Sequence, residues 1–500
     1  MRTRKRFLIQ AFLWAPFLFS CAPSSSSIFV SSTSSSSASI SSSTEPSGPF
    51  YKVTSGYNLE ELGKTTQKDY LPSVGAQALL VIPVTVRGYE ENATPETKND
   101  LEKTFNGLPG ETGWESVQSF YAASSYGKLA LSALVTDWYD CGFTASEISA
   151  MASSANPLQG IRTILFGAAS WFKETYPDDI ASFDKDKDGF LDAVWLVYSA
   201  PDFTSEPTLT DETQTFWALS SGTDAQSNLA SPSANNFSWA SFDFMYRGYG
   251  KAKLDAHTFI HETGHLLGLD DYYDYDRKCV PMGGVDMMDR NIIDHCAYSK
   301  FALGWSSPFY ADHPGTLTLR PGVESGDCVL FPTGNGWNGS AFDEYILMEL
   351  YSPTGLNEAD SLTPCQAVYP TSYTKLGLRI YHVDSRLCLY GDGHKKAYVD
   401  TLPLSMGSSY VCAQSNTPSR SKDSRFRLLQ LLDHSGINQA VSTAVSANAS
   451  LWGEGDAFSL LAYQGEFALT GRMNCGGIFR YQVAISNLSS SGVTLTISVV

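Results

Sequence analysis

Residues 78–86, Ala-Leu-Leu-Val-Ile-Pro-Val-Thr-Val, form an almost unbroken apolar run. A short run of this kind predicts a strand buried on both faces, and Pro83, which has no amide hydrogen to give a ladder, places it at an edge or a bulge. Residues 115–127 read as a helix closed by Gly127, and residues 129–135 alternate as a strand. Across residues 158–176, Ile161, Ile164, Leu165, Ala168 and Phe172 keep the three-to-four spacing of a helix lying over a sheet. Residues 193–198 predict another buried strand, and residues 237–246 alternate as an exposed edge strand. From residue 306 onward, short strands are separated by Asn335-Gly336, Asn338-Gly339 and Ser435-Gly436 and close on residues 481–485 and 493–499, a β-rich C-terminal region. The pattern as a whole is α+β.

Into this pattern falls the stretch 257–271, His-Thr-Phe-Ile-His-Glu-Thr-Gly-His-Leu-Leu-Gly-Leu-Asp-Asp. On a helix His261 and His265 share one face a turn apart, the spacing at which two imidazoles hold one Zn²⁺. Glu262 lies about 100° round from His261, so it aims beside the metal at water and is placed as a general base. Gly268 is where the helix stops, because glycine takes the left-handed conformation without a Cβ clash. The chain then doubles back, and Asp271 stands at the eleventh position of His-Glu-x-x-His-x-x-Gly-x-x-(His/Asp), the expected third ligand. Asp274, Asp286, Glu349 and His382 remain alternative donors, and His257, one turn upstream, reads as a packing histidine. Residues 283–289, Gly-Gly-Val-Asp-Met-Met-Asp, offer Met288 as a hydrophobic floor beneath a metal.

A second acidic pattern precedes the 193–198 strand. Asp184, Asp186 and Asp188, then Gly189, Phe190 and Asp192, match the first nine positions of an EF-hand calcium loop, with Phe190 contributing its carbonyl. Trp195 occupies the twelfth position, where that loop needs a bidentate glutamate, so this is a structural Ca²⁺ site of another kind.

Composition changes the picture mainly at the N-terminus. Met-Arg-Thr-Arg-Lys-Arg followed by an apolar run over residues 7–19 predicts a signal peptide over residues 1–20, too short to span a membrane. It ends Leu-Phe-Ser-Cys21, the arrangement of a bacterial lipobox, so Cys21 becomes a lipidated N-terminus; a plain secretory signal is the alternative. Residues 21–48, dominated by serine, are a tether, and residues 49–75 are an N-terminal extension or short pro-segment. Removing residues 1–20 moves the net charge from −18 to −22, which argues against a nucleic-acid partner. The remaining eight cysteines, Cys141, Cys279, Cys296, Cys328, Cys365, Cys388, Cys412 and Cys475, permit disulfides after export, Cys279 with Cys296 around the methionine turn among them.

The chain resembles the immune inhibitor A family of bacterial zinc metallopeptidases, relatives of the metzincins. The similar stretches are Ser116 to Tyr121, Ser125 to Leu129 with Trp138-Tyr139, the acidic loop into Val194 to Tyr198, and His261 to Tyr273. Val285 to Met288, Ala297 to Lys300 with Leu303-Gly-Trp305, Glu344 to Glu349 and Gly377 to Asp384 complete the set. Asp270 replaces the family's usual proline and Val285 its usual tryptophan. The resemblance implies a metzincin-like catalytic domain over residues 76–305, with a twisted sheet above the active-site helix. The β-rich region 306–500 follows, its first part to about 385 packed on the catalytic domain. It also implies His261, His265 and Asp271 as zinc ligands and Glu262 as base. A donor for a developing oxyanion is also needed, and spacing does not decide between Tyr298 and Tyr272 or assign either; the 237–246 strand, as an edge beside the helix, is expected to take a peptide substrate by main-chain pairing. The expected activity is that of an extracellular, membrane-tethered zinc endopeptidase acting on proteins or peptides. The competing expectation is a surface lipoprotein with a binding role and a latent peptidase domain.

Overall fold

The computed structural model describes residues 48–499, apart from 212, 250–251, 363–368, 392–393, 406, 408–409, 464–465 and 467–471. The expected signal peptide over residues 1–20, the expected lipidation site Cys21, nearly all of the serine-rich segment 21–48 and Cys365 lie outside the described residues. The architecture is mixed α/β, with several sheets and few helices. Among the described residues no helix is long and apolar enough to cross a membrane.

The strand Gly75–Arg87 is central in the principal sheet, not at an edge. It pairs in parallel with Leu129–Val135 through Val81, and with Tyr139–Thr144 from Val84 onward. Pro83 falls in the gap where one partner ends and the other begins, the one stretch of this strand where a missing amide hydrogen leaves no ladder bond broken. On its other side Gly75–Arg87 pairs with Val194–Tyr198, which pairs with Phe237–Ser241. The final strand, Leu219–Ser221, runs antiparallel. Period-two alternation divides these residues between two cores. Leu80, Ile82, Val84 and Val86 pack under the helix Gln159–Thr175, whereas Leu79, Val81, Trp195 and Val197 face the helix His257–Leu266. With both faces covered, the central strands carry apolar residues at nearly every position.

The edge expected at residues 237–246 is therefore elsewhere. Phe237–Ser241 is buried throughout and paired on both sides, and residues 242–246 turn into a short 3-10 helix. Leu219–Ser221 is the outer strand of this sheet.

Behind the helix His257–Leu266 stands a second sheet in the order 429–431, 377–384, 344–351, 328–332, 309–310. Its one face carries Tyr345, Leu347, Tyr381 and Val383 into the same core as that helix. Ile346, Met348 and Ile380, on the opposite face, meet the four-stranded sheet that includes Tyr481–Ser489 and Gly492–Val499. The extension is integral to this body, since Tyr57, Leu59, Leu62 and Leu71 all join the core of the helix His257–Leu266. The seven described cysteines are free thiols, so Cys279 and Cys296 do not tie down the methionine turn.

Candidate metal centre

The helix His257–Leu266 starts where Asp255 accepts a hydrogen bond from the His257 amide (3.0 Å). It stops where expected. Gly268 has φ +97°, and the Leu269 amide returns to the Gly264 carbonyl at 3.0 Å. Trp195 Nε1 donates to Thr263 Oγ1 (3.2 Å) and Tyr121 Oη donates to the Ile260 carbonyl (2.8 Å), which fix the helix against the sheet and against the helix Val117–Ser124.

The two imidazoles face one carboxylate oxygen. Asp271 Oδ1 lies 2.9 Å from His261 Nε2 and 3.3 Å from His265 Nε2, and the three donor atoms all lie within 4.8 Å of one another. Donors at about 2.0–2.1 Å from a tetrahedral zinc stand about 3.3 Å apart, so the observed spacing suits that ion. The outer ring nitrogens are held too. His261 Nδ1 donates to the Met287 carbonyl at 2.9 Å and His265 Nδ1 to the Leu269 carbonyl at 2.7 Å. A carbonyl only accepts, so each Nδ1 keeps its proton, and it is Nε2 that would give up a proton and turn its lone pair to a metal. The other Asp271 oxygen, Oδ2, accepts a short hydrogen bond from Tyr275 Oη.

Burial works against charge here and the neighbours reverse it. It opposes protonation of the imidazoles, yet the Asp271 carboxylate holds both above the ordinary value, His265 at about 10. It also opposes ionisation of Asp271, but the two imidazoles hold that carboxyl well below its usual range. Glu262, 6% exposed, is raised by burial despite both histidines. Its Oε2 accepts from Ser220 Oγ at 2.8 Å, and Ser220 belongs to the edge strand.

The other donors are engaged elsewhere. Asp274 accepts from the amides of Asp276 and Lys278 (3.0 and 2.9 Å), and Glu349 pairs with Arg379 (2.8 Å). His382 meets Glu344 at 2.7 Å. Asp286 shapes the methionine turn by accepting from the amides of Met288 and Cys296 (2.7 and 2.6 Å). His257 packs in a tilted arrangement on the Tyr369 ring, centroids 4.4 Å apart, and is not among the converging donors. Met288 lies directly beneath the helix, so close that a Cβ on Gly264 would come within 2.5 Å of its sulfur. Of the two candidate oxyanion donors, Tyr272 and Tyr298, both are buried, and Tyr272 Oη shares a hydrogen bond with Ser299 Oγ (2.9 Å).

Three contributors gave no clear signal in the sequence: Ser220, Tyr275 and the Met287 carbonyl. The C-terminal region contributes as well. Asn416 Nδ2 donates to the Tyr272 carbonyl (2.8 Å), Thr417 Oγ1 accepts from the Tyr275 amide (2.9 Å), and the Ser446 amide donates to the Gly283 carbonyl (2.9 Å). These contacts pin the loop that carries Asp271 and the turn that carries Met288.

In the acidic loop the structure brings together Asp186 and Asp188 but joins them to Asp69, not to Asp184 or Asp192. Asp184 Oδ1 accepts from the Gly189 amide (3.2 Å) and Asp192 Oδ2 from the Lys185 amide (3.1 Å), so these two carboxylates brace the loop. Phe190 lies in a two-residue strand paired with Ser233–Ala234.

No protein-family model matches the chain, and no curated protein does. The chemistry open to the site follows from its donor atoms.

The turn beneath the helix carries its own pH dependence. Asp289 closes it by accepting from the Gly284 amide (2.8 Å), and burial pushes its carboxyl from 3.8 up to about 7. A carboxyl raised in the folded state keeps a proton that the unfolded chain releases, so its contribution is fully present below about pH 4 and is lost as pH rises towards 7. Asp289→Asn is expected to remove about 2 kcal/mol from the fall in stability between pH 5 and pH 7. Chemical unfolding of both proteins at the two pH values measures this, and an unchanged fall in the variant would contradict the assignment.

Proposed function

We propose that this chain is an extracellular zinc-dependent endopeptidase, tethered to the membrane through Cys21, with a metzincin-like arrangement of the kind found in the immune inhibitor A family. The observation that carries this reading is the convergence of His261 Nε2, His265 Nε2 and an Asp271 oxygen on one point, with the Glu262 carboxylate on the same helix. Zinc held by these three residues supplies Lewis acidity towards a scissile carbonyl and towards water.

Glu262 takes a proton from the attacking water and delivers it to the leaving amine. Its burial favours this work, because a carboxylate raised towards neutrality is a better proton acceptor and a competent donor afterwards. Ser220 holds Oε2 and so sets the direction of the carboxylate. Among the described residues no strand pairs with the outer side of Leu219–Ser221, the edge nearest to Glu262. An extended peptide adds there by main-chain hydrogen bonds, a binding mode indifferent to most side chains.

The test is digestion of an unfolded protein substrate by the purified protein, before and after removal of metal. Chelation with 1,10-phenanthroline is expected to lower the rate at least a hundredfold, and stoichiometric Zn²⁺ to restore it. Digestion that survives a chelator, with zinc verified as removed, would overturn the proposal.

A further inference from the structure

The acidic loop contains a partner that its spacing could not announce. Just after the helix Leu59–Thr66, Gln67 (φ 57°) and Asp69 (φ 50°) both adopt the left-handed conformation, which swings the chain across the end of the metal helix. The Leu71 amide then donates to the Leu266 carbonyl at 2.9 Å. Asn236 Nδ2 bridges the carbonyls of Asp69 (3.4 Å) and Leu266 (3.1 Å), and the Tyr70 ring covers Gly268 so closely that a Cβ there would meet it at 2.7 Å. Residues 67–71 therefore form a strap over the turn that follows His265.

Asp69 is 7% exposed, its Oδ2 has no hydrogen-bond donor among the described residues, and its carboxyl meets those of Asp186 and Asp188, close enough to Asp188 to share a proton when no cation is bound, with the three ligand oxygens within 4.8 Å of one another. A buried acid oxygen without a donor is costly, and two further carboxylates at this distance add repulsion. A hard divalent cation removes both penalties. Oxygens bound to Ca²⁺ at about 2.4 Å lie no more than about 4.8 Å apart, and calcium accepts carboxylates from distant parts of a chain together with carbonyls and water. Gly189, at φ +86°, lets the loop pass against Asn228, where a Cβ would come within 2.8 Å of backbone.

We propose that Asp69, Asp186 and Asp188 bind one Ca²⁺ ion, and that this ion clasps the strap 67–71 to the loop and so holds it over the end of the metal helix. The inference rests on the cation reading of the acidic loop and adds to it a ligand from the N-terminal extension. It does not depend on the hydrolytic activity.

The experiment uses the purified protein stripped of calcium with EGTA, freed of the chelator and reloaded with stoichiometric Zn²⁺. Calcium binding is followed by titration calorimetry, and amide hydrogen exchange is measured over residues 67–72 and 266–269 with and without Ca²⁺. In the wild-type chain, Ca²⁺ is expected to slow exchange in both segments at least tenfold, a result that needs no variant. Asp69→Asn is expected to weaken binding at least tenfold and abolish that protection, and Asp186→Ala to do the same. If Asp186→Ala loses binding while Asp69→Asn binds and protects as wild type does, the cation stays with the loop and the clasp is overturned. Absence of any calcium binding by the wild-type protein would remove loop site and clasp together.

Discussion

Glu262→Gln is expected to lower kcat for peptide hydrolysis by about 10²–10⁴, the range a general base contributes, while zinc content and thermal midpoint stay as in the wild type. Glutamine keeps the shape of the side chain and an oxygen for Ser220 Oγ, now at 2.8 Å from Glu262 Oε2. What it lacks is a carboxylate able to take a proton. Glu262 is not among the converging donors, so the metal should remain. Turnover of a peptide substrate, with zinc measured on the same preparation, separates the two roles. A variant within tenfold of wild-type kcat would remove Glu262 as the base, and one that had lost its zinc would make it a ligand instead.

The second large effect concerns Asp271. Asp271→Ala should weaken zinc binding by more than the roughly 10–100-fold typical of losing a group that only orients a ligand, and activity should fall with occupancy. Two imidazoles would remain, still fixed by the Met287 and Leu269 carbonyls, but among the described residues no third donor joins them in place of the carboxylate. Tyr275→Phe serves as the control. It removes only the hydrogen bond to Asp271 Oδ2, so its loss should stay within that 10–100-fold range. Competition against a zinc indicator gives both affinities. If Asp271→Ala binds zinc no worse than Tyr275→Phe does, Asp271 is a supporting residue and the ligand set is incomplete.

Several elements were legible because their cause is local. The spacing of Ile161, Ile164, Leu165, Ala168 and Phe172 produced the helix Gln159–Thr175, and residues 129–135 form the strand they predict. Two errors share one cause: a pattern records that a position is polar or lacks a donor, not what faces it. Phe237–Ser241 alternates like a solvated edge, yet Ser238 points inward to the Glu262 carbonyl at 3.4 Å, a polar residue serving a buried helix. Pro83 suggested an edge, but the missing donor is tolerated in the centre of the sheet because two partner strands meet there end to end.

By itself the sequence determined the helix His257–Leu266, its two inward histidines, the glutamate beside them and the glycine that stops it, because helical pitch and backbone sterics act within a few residues. Only the tertiary structure decided which acid faces the histidines, since Asp271, Asp274 and Asp286 are alike in chemistry and differ in which amides and rings the folded chain sets against them. The same holds for Asp69, which reaches Asp186 and Asp188 across more than a hundred residues. Contacts of that separation arise from packing of the whole core, and no local period encodes them.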